Sequence, residues 1–290
     1  MITTEVHDAW LDKFGIRLLL KRLDLLPSGV SGNKYFKLKY NLLEAKEQRH
    51  TTLLTLGGAF SNHILATAEA GEINGFKTIG IIRGEENFPL NPVLQKAKSR
   101  GMEIHYVSRE KYRQKEEEFF ISDLHQQFGD FFFLPEGGSN RNAVKGCMEI
   151  LDEEDFEAGH IVCCCGTGAT LAGIILSMKH HQCALGISVL KGEGYIENKV
   201  KRFLDSFPKQ QSKSWIIRDD FHFGGYAKSN PELANFCHQF SERSKIPVEP
   251  VYTGKMFWAI YHLSEIDFLK RGSTLLAIHS GGVLDSNNNS

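Results

Sequence analysis

Short apolar runs alternate with longer amphipathic stretches along nearly all of this 290-residue chain, and that alternation restricts the fold more than any other feature. Runs at 52–56, 77–82, 103–107, 131–134, 160–165, 184–190, 215–217 and 274–279 have the length and apolar density of buried strands. Between them, residues 35–48, 61–73, 92–100, 111–128, 169–180, 197–207, 231–243 and 254–270 carry helical periodicity. The alternation predicts an α/β chain whose parallel sheets are covered by helices on both faces. Four of the strand–helix units fall between about residues 39 and 140, and the rest follow from about residue 145. A split into two mostly parallel, doubly wound domains is therefore expected. Pro135-Glu136-Gly137-Gly138-Ser139-Asn140, all turn chemistry, is the best junction.

Composition excludes several function classes. The net charge is −1 and the basic residues are dispersed, which argues against a nucleic-acid or polybasic membrane surface. No apolar run approaches the roughly 18–20 residues of a spanning helix, and the first ten residues lack the apolar segment of a secretory signal. Six cysteines fall at 147, 163, 164, 165, 183 and 237 without paired metal-ligand spacing. Free thiols packing as small hydrophobes, and hence a cytoplasmic location, are expected. The polar stretch 285–290 reads as a disordered end.

In open α/β sheets ligands gather beyond the carboxyl ends of the strands. Four segments take that position: Gly57-Gly58-Ala59-Phe60-Ser61-Asn62-His63, Gly137-Gly138-Ser139-Asn140, Gly166-Thr167-Gly168-Ala169-Thr170 and His279-Ser280-Gly281-Gly282. The third runs from a strand through a small turn into a helix, so backbone N–H groups and the positive helix end would face a phosphate. A plain tight turn is the competing reading. Ser61 or Asn62 suits an N-cap, but three consecutive polar side chains exceed what capping requires. Further upstream, Ser28-Gly29-Val30-Ser31-Gly32-Asn33-Lys34 leads into a helix with Lys34 and Lys37 in its first turn. The helix dipole disfavours lysine there, a local violation of the kind found at functional sites. Solvated surface lysines are the alternative.

Taken together, these segments resemble the aminocyclopropane-carboxylate deaminase and D-cysteine desulfhydrase family of pyridoxal-phosphate enzymes, within the tryptophan-synthase-β-like class. Gly32-Asn33-Lys34-x-x-Lys37-Leu38 looks like the cofactor-lysine motif, and Gly57-Gly58-x-x-Ser61-Asn62-His63 like the loop for the substrate carboxylate and cofactor ring. Gly166-Thr167-Gly168-Ala169-Thr170 is similar to the phosphate loop. Glu249-Pro250-Val251-Tyr252-Thr253-Gly254-Lys255 resembles the active-site tyrosine segment, and His279-Ser280-Gly281-Gly282 the last strand end.

The resemblance implies a smaller domain at 39–140, a larger one made of 1–38 plus 141–290, pyridoxal 5'-phosphate between them, and a homodimer. It implies that Lys34 holds the cofactor and then serves as base at the substrate α-carbon. Asn62 would bond the cofactor ring, residues 166–170 and Ser280 would complete its site, and Ser61 and His63 would hold the substrate carboxylate. Tyr252 would exchange protons with the substrate, with Tyr226 and Thr253 beside it; Lys37 is expected at the surface or behind the site.

Two positions bear on the reaction. Where the cyclopropane deaminases follow the tyrosine with a glutamate, this chain has Thr253, and where they carry an apolar residue it has Ser280. A hydroxyl opposite the pyridine nitrogen does not enforce its protonation, which favours prompt loss of a β-leaving group. The expected reaction is thus α,β-elimination or deamination of a small, D-cysteine-like amino acid, with 1-aminocyclopropane-1-carboxylate deamination as the alternative. An NAD(P)-dependent oxidoreductase is a rival reading of Gly166-x-Gly168, but Leu171 stands where the fingerprint has its third glycine and Glu193 is loosely placed for a ribose. A non-catalytic cofactor-binding homologue is a further alternative. Neither Ser61 nor Ser139 sits in a hydrolase elbow.

Overall fold

A computed structural model describes residues 1–26, 29–30, 32–208 and 213–282. Ser28, Ser31 and the polar stretch 285–290 lie outside the described residues. Ten strands occur among those described: β1 (Thr3–Val6), β2 (Arg17–Arg22), β3 (Thr52–Gly58), β4 (Lys77–Arg83), β5 (Met102–Val107), β6 (Phe132–Leu134), β7 (His160–Cys165), β8 (Cys183–Ser188), β9 (Ser214–Arg218) and β10 (Thr274–His279). They form a six-stranded sheet of order β1-β2-β10-β7-β8-β9 and a four-stranded sheet of order β5-β4-β3-β6. Among the described residues only the β1–β2 pair is antiparallel.

The chain divides into two compact units. One comprises residues 1–26, 31–33 and 144–290; the other comprises 27–30 and 34–143. In the first, β7 and β10 are buried along nearly their whole length, as strands covered on both faces must be. Cys163, Cys164 and Cys165 lie in β7 as buried free thiols filling this interior. In the second, Leu53, Leu54 and Leu56 of β3 and Ile79, Ile81 and Ile82 of β4 supply the core of the small sheet. No helix among the described residues is long and apolar enough to cross a membrane.

Two strands escape the sequence pattern. The run Arg17-Leu18-Leu19-Leu20-Lys21-Arg22 is bracketed by charge, yet it forms β2, parallel to β10. Lys21 is wholly buried there because Asp152 and Asp155 meet its ammonium at 2.5 and 2.7 Å. That pairing permits a lysine in a core strand. The expected helix at 111–128 is broken into Arg109–Arg113 and Glu118–Phe128, with Gln114 ending the first. The one expected at 254–270 stops at Glu265, where Ile266 caps it and Asp267 turns to a φ of 57°.

Removing the ammonium while leaving the carboxylate of Asp155 buried should be strongly destabilising. Lys21→Ala is expected to lower unfolding free energy by about 3 kcal/mol in urea titrations; a loss under about 0.5 kcal/mol, the surface-substitution range, would contradict this account of β2.

Candidate active site

In the larger unit the strand-end loops at 166–170 and 280–282 leave adjacent parallel strands, β7 and β10, at their carboxyl ends. Gly168 adopts a φ of 84° and no side chain caps the helix Ala169–Ser177 that follows. The uncapped N–H groups and helix dipole make this a cradle for an anion. Thr167 is half-buried and Thr170 buried. A Cβ on Gly166 would lie 3.3 Å from the Tyr252 ring, so the tyrosine packs directly on this turn.

The residues before Lys34 are fastened to the same two loops. The Asn33 amide donates to the Ser280 carbonyl at 3.0 Å, and the Asn33 side chain donates to Thr170 Oγ1 at 2.9 Å. Gly32 has a φ of 70°, and a Cβ there would fall 2.0 Å from the Ser280 carbonyl oxygen. Only glycine meets both demands. Lys34 is then the second residue of the helix Asn33–Glu47, half-buried, in a first turn that contains no acid.

Ser280 places its hydroxyl 3.3 Å from Cys164 Sγ. Tyr252 and Tyr226 are both half-buried, with ring centroids 5.9 Å apart and planes at 70°. Burial first, then the charge and hydroxyl of Tyr226, hold the Tyr252 phenol well above its ordinary pKa. Behind Tyr252, Glu249 accepts from the amides of Val251, Tyr252 and Thr253 at 2.6, 2.9 and 3.0 Å. Burial raises this carboxyl to about 7 against those bonds. Thr253, expected on the substrate side, is fully buried and turned inward: its hydroxyl donates to Glu249 at 3.3 Å.

In the smaller unit β3 and β6 are adjacent parallel strands, and the loops beyond their carboxyl ends hold Ser61-Asn62-His63 and residues 136–140. Ser61 is the N-cap of the helix Asn62–Asn74, its hydroxyl accepting the His63 amide at 3.3 Å. Asn62 is half-buried at the first helical position. His63 is 1% exposed, which sets it behind the loop rather than at a substrate surface. Thr55 donates its single hydroxyl proton to the Leu134 carbonyl at 2.9 Å, so His63 Nε2 must donate to Thr55 Oγ1 at 2.8 Å. Nδ1 is buried beside the Pro135 backbone. Burial, followed by the charges of Lys34 and Lys37, keeps the ring neutral by pushing its pKa well below the ordinary value.

Lys37 is not a surface residue. It is 2% exposed and donates to the Gly137 carbonyl and Ser139 Oγ at 3.1 and 3.0 Å, tying down the loop after β6. Asn33, Glu249 and Lys255, with Cys164 of β7, are further residues around these loops whose contacts no local pattern announces. For Asn33, Glu249 and Lys255 the advance signal is their place inside the motifs; Cys164 lies in none.

The chain matches the sequence profile described as pyridoxal-phosphate dependent enzyme over residues 4–281. A Thermotoga maritima protein provisionally named 1-aminocyclopropane-1-carboxylate deaminase is 32% identical, covering 94% of this chain and 90% of its own. The Arabidopsis thaliana protein named bifunctional D-cysteine desulfhydrase/1-aminocyclopropane-1-carboxylate deaminase, mitochondrial, is 28% identical over 93% of this chain and 73% of its own. A crystal structure described as an ACC deaminase homologue superposes with a TM-score of 0.81 at 26% identity, covering 97% of this chain and 89% of that one.

The Gly32 contact makes a sharp prediction. Gly32→Ala should destabilise the protein by about 2 kcal/mol or more, because the added methyl meets backbone and a strained φ together. Thermal unfolding indistinguishable from the parent would contradict the contact.

Proposed function

The chain belongs to the pyridoxal-phosphate-dependent enzyme family, and we propose that within it this protein catalyses α,β-elimination from a small D-cysteine-like amino acid. With water, D-cysteine would give pyruvate, ammonia and hydrogen sulfide. The residues present fit the cofactor. The uncapped helix start at Gly168 suits a phosphate, and the cleared turn at Gly166 lets a tyrosine ring lie against it. Residues 166–170 would hold the phosphate, Asn62 the ring oxygen, Ser280 the pyridine nitrogen and Lys34 the aldehyde carbon.

Pyridoxal phosphate, when bound, supplies an electron sink that acidifies the α C–H of a bound amino acid. Lys34, in the first turn of the helix Asn33–Glu47, which carries no acid, would take that proton. Ser61 and the adjacent N–H groups at the start of Asn62–Asn74 orient the substrate carboxylate. The high phenol pKa of Tyr252 keeps it protonated and able to deliver a proton to a departing sulfur. His63 enters this reading as a neutral support for the Ser61 turn, not as a charged carboxylate ligand.

The observation that carries the choice of reaction is the hydroxyl at Ser280, beside a thiol and with Thr253 turned away to Glu249. No carboxylate comes from either position, so protonation of the pyridine nitrogen is not enforced, and a substrate with a ready β-leaving group is favoured. The names of the relatives give the second reading, deamination of 1-aminocyclopropane-1-carboxylate. The family match leaves the dinucleotide reading without support. A cytoplasmic location, supported by six free thiols, and a homodimer belong to the same proposal.

Purified protein supplied with pyridoxal phosphate should release sulfide and pyruvate from D-cysteine at least about tenfold faster, by kcat/KM, than it forms 2-oxobutyrate from 1-aminocyclopropane-1-carboxylate, a margin of about 1.4 kcal/mol in the barrier. The reverse ranking would overturn the proposal in favour of the cyclopropane reading.

A further inference from the structure

Glu249 and Lys255 flank the tyrosine segment, and both are charged residues where charge is disfavoured. Lys255 is wholly buried, and its ammonium donates to the carbonyls of His222 and Gly225 at 2.8 and 2.9 Å. Those carbonyls belong to the turn that delivers Tyr226. The carboxylate of Glu249 gathers the three consecutive amides of the turn that delivers Tyr252. Thr253 closes the arrangement, its hydroxyl donating to Glu249 at 3.3 Å and accepting the Glu249 amide at 3.1 Å.

A buried charge is retained at such expense only where several polar groups need one centre to converge on. Capping alone does not require a lysine two residues downstream of Thr253 whose ammonium donates to carbonyls on another turn. The common consequence of the two sets of bonds is that the Tyr226 and Tyr252 rings are fixed edge to face.

The geometry points to Glu249 and Lys255 as positioning residues that hold Tyr252 and Tyr226 as one tyrosine pair, Glu249 through the Tyr252 turn and Lys255 through the Tyr226 turn. Neither touches substrate or cofactor in this assignment; each acts through a phenol. The inference rests on the proposed elimination only for what the phenols then do, namely to carry a proton to the leaving group.

The surrounding groups agree. Burial raises Glu249 to about 7 and lowers Lys255 to about 8, while the charge of Glu249 draws the lysine back up. Cys237, whose thiol burial and Glu249 push up to about 12, faces the same carboxyl as a neutral group, as does the Tyr252 phenol. Replacement of Glu249 by glutamine would set an amide N–H₂ against a backbone N–H that now has an oxygen acceptor. The turn should loosen without loss of side-chain volume.

A double-mutant cycle on the holoenzyme tests this directly. Glu249→Gln should lower kcat for D-cysteine about tenfold in the parent but less than about twofold in a Tyr252→Phe background, since two residues serving one function are non-additive. Lys255→Met and Tyr226→Phe should behave the same way. Independent, additive losses in folded variants would overturn the assignment. Amide hydrogen exchange supplies a second readout that needs no turnover. Glu249→Gln should accelerate exchange at 251–253, and Lys255→Met at 222–228, with the rest of the fold unchanged. Unaltered exchange in both segments would also overturn it. If the parent turns over neither D-cysteine nor 1-aminocyclopropane-1-carboxylate, the reaction reading fails, and the exchange result still decides the positioning roles.

Discussion

Everything proposed for this chain depends on how tightly the two residues before Lys34 are held. Gly32 lies so close to the Ser280 carbonyl that no side chain fits, and the Asn33 amide and side chain bind the β10 and β7 loops at once. The Asn33 contacts connect the last strand end, the anion cradle and the start of the lysine helix in one short hydrogen-bonded chain. A lysine that must meet a small electrophilic carbon cannot tolerate a displacement of an ångström. Rigid fastening immediately upstream answers that requirement, because backbone bonds leave fewer soft torsions than side-chain contacts.

Adjacent parallel strands explain why so few residues suffice. In each unit two neighbouring strands end on the same edge, and each delivers one polar loop. The sheets are interior scaffolds of Leu, Ile and Cys, while the chemistry sits on the turns beyond them. Charged side chains turned onto the backbone then stiffen those turns. Lys37 ties down the loop after β6, Glu249 the Tyr252 turn and Lys255 the Tyr226 turn. Choice of reaction is left to a few groups, chiefly the hydroxyl at Ser280.

Much of this was legible before any coordinate. Alternating apolar runs betray parallel sheets because strands covered on both faces need no polar residues, and eight of the ten strands among the described residues announced themselves in that way. The glycine-rich turn at 166–170 and the turn leading into the helix Asn33–Glu47 were readable because glycine there serves backbone geometry, which is local. What could not be read is where a polar side chain turns once tertiary neighbours compete for it. The strand β2 was hidden by Lys21, whose two aspartates lie more than a hundred residues away. Thr253 and His63 sit inside recognisable motifs, yet Glu249 and Thr55 claim their polar atoms. Lys37 and Lys255 carry the charge expected of surface residues and are buried nonetheless, and Glu249 is half-buried with its carboxylate turned onto backbone amides.

The central claim is that Lys34 carries pyridoxal phosphate. Its most direct test is borohydride reduction of the purified protein after exposure to the cofactor, with the visible spectrum followed and the modified residue mapped by mass spectrometry. A yellow protein whose colour is discharged on reduction, with the cofactor's mass fixed on Lys34, is the predicted result. A protein that stays colourless with added cofactor, or a label found on another lysine, would contradict the account.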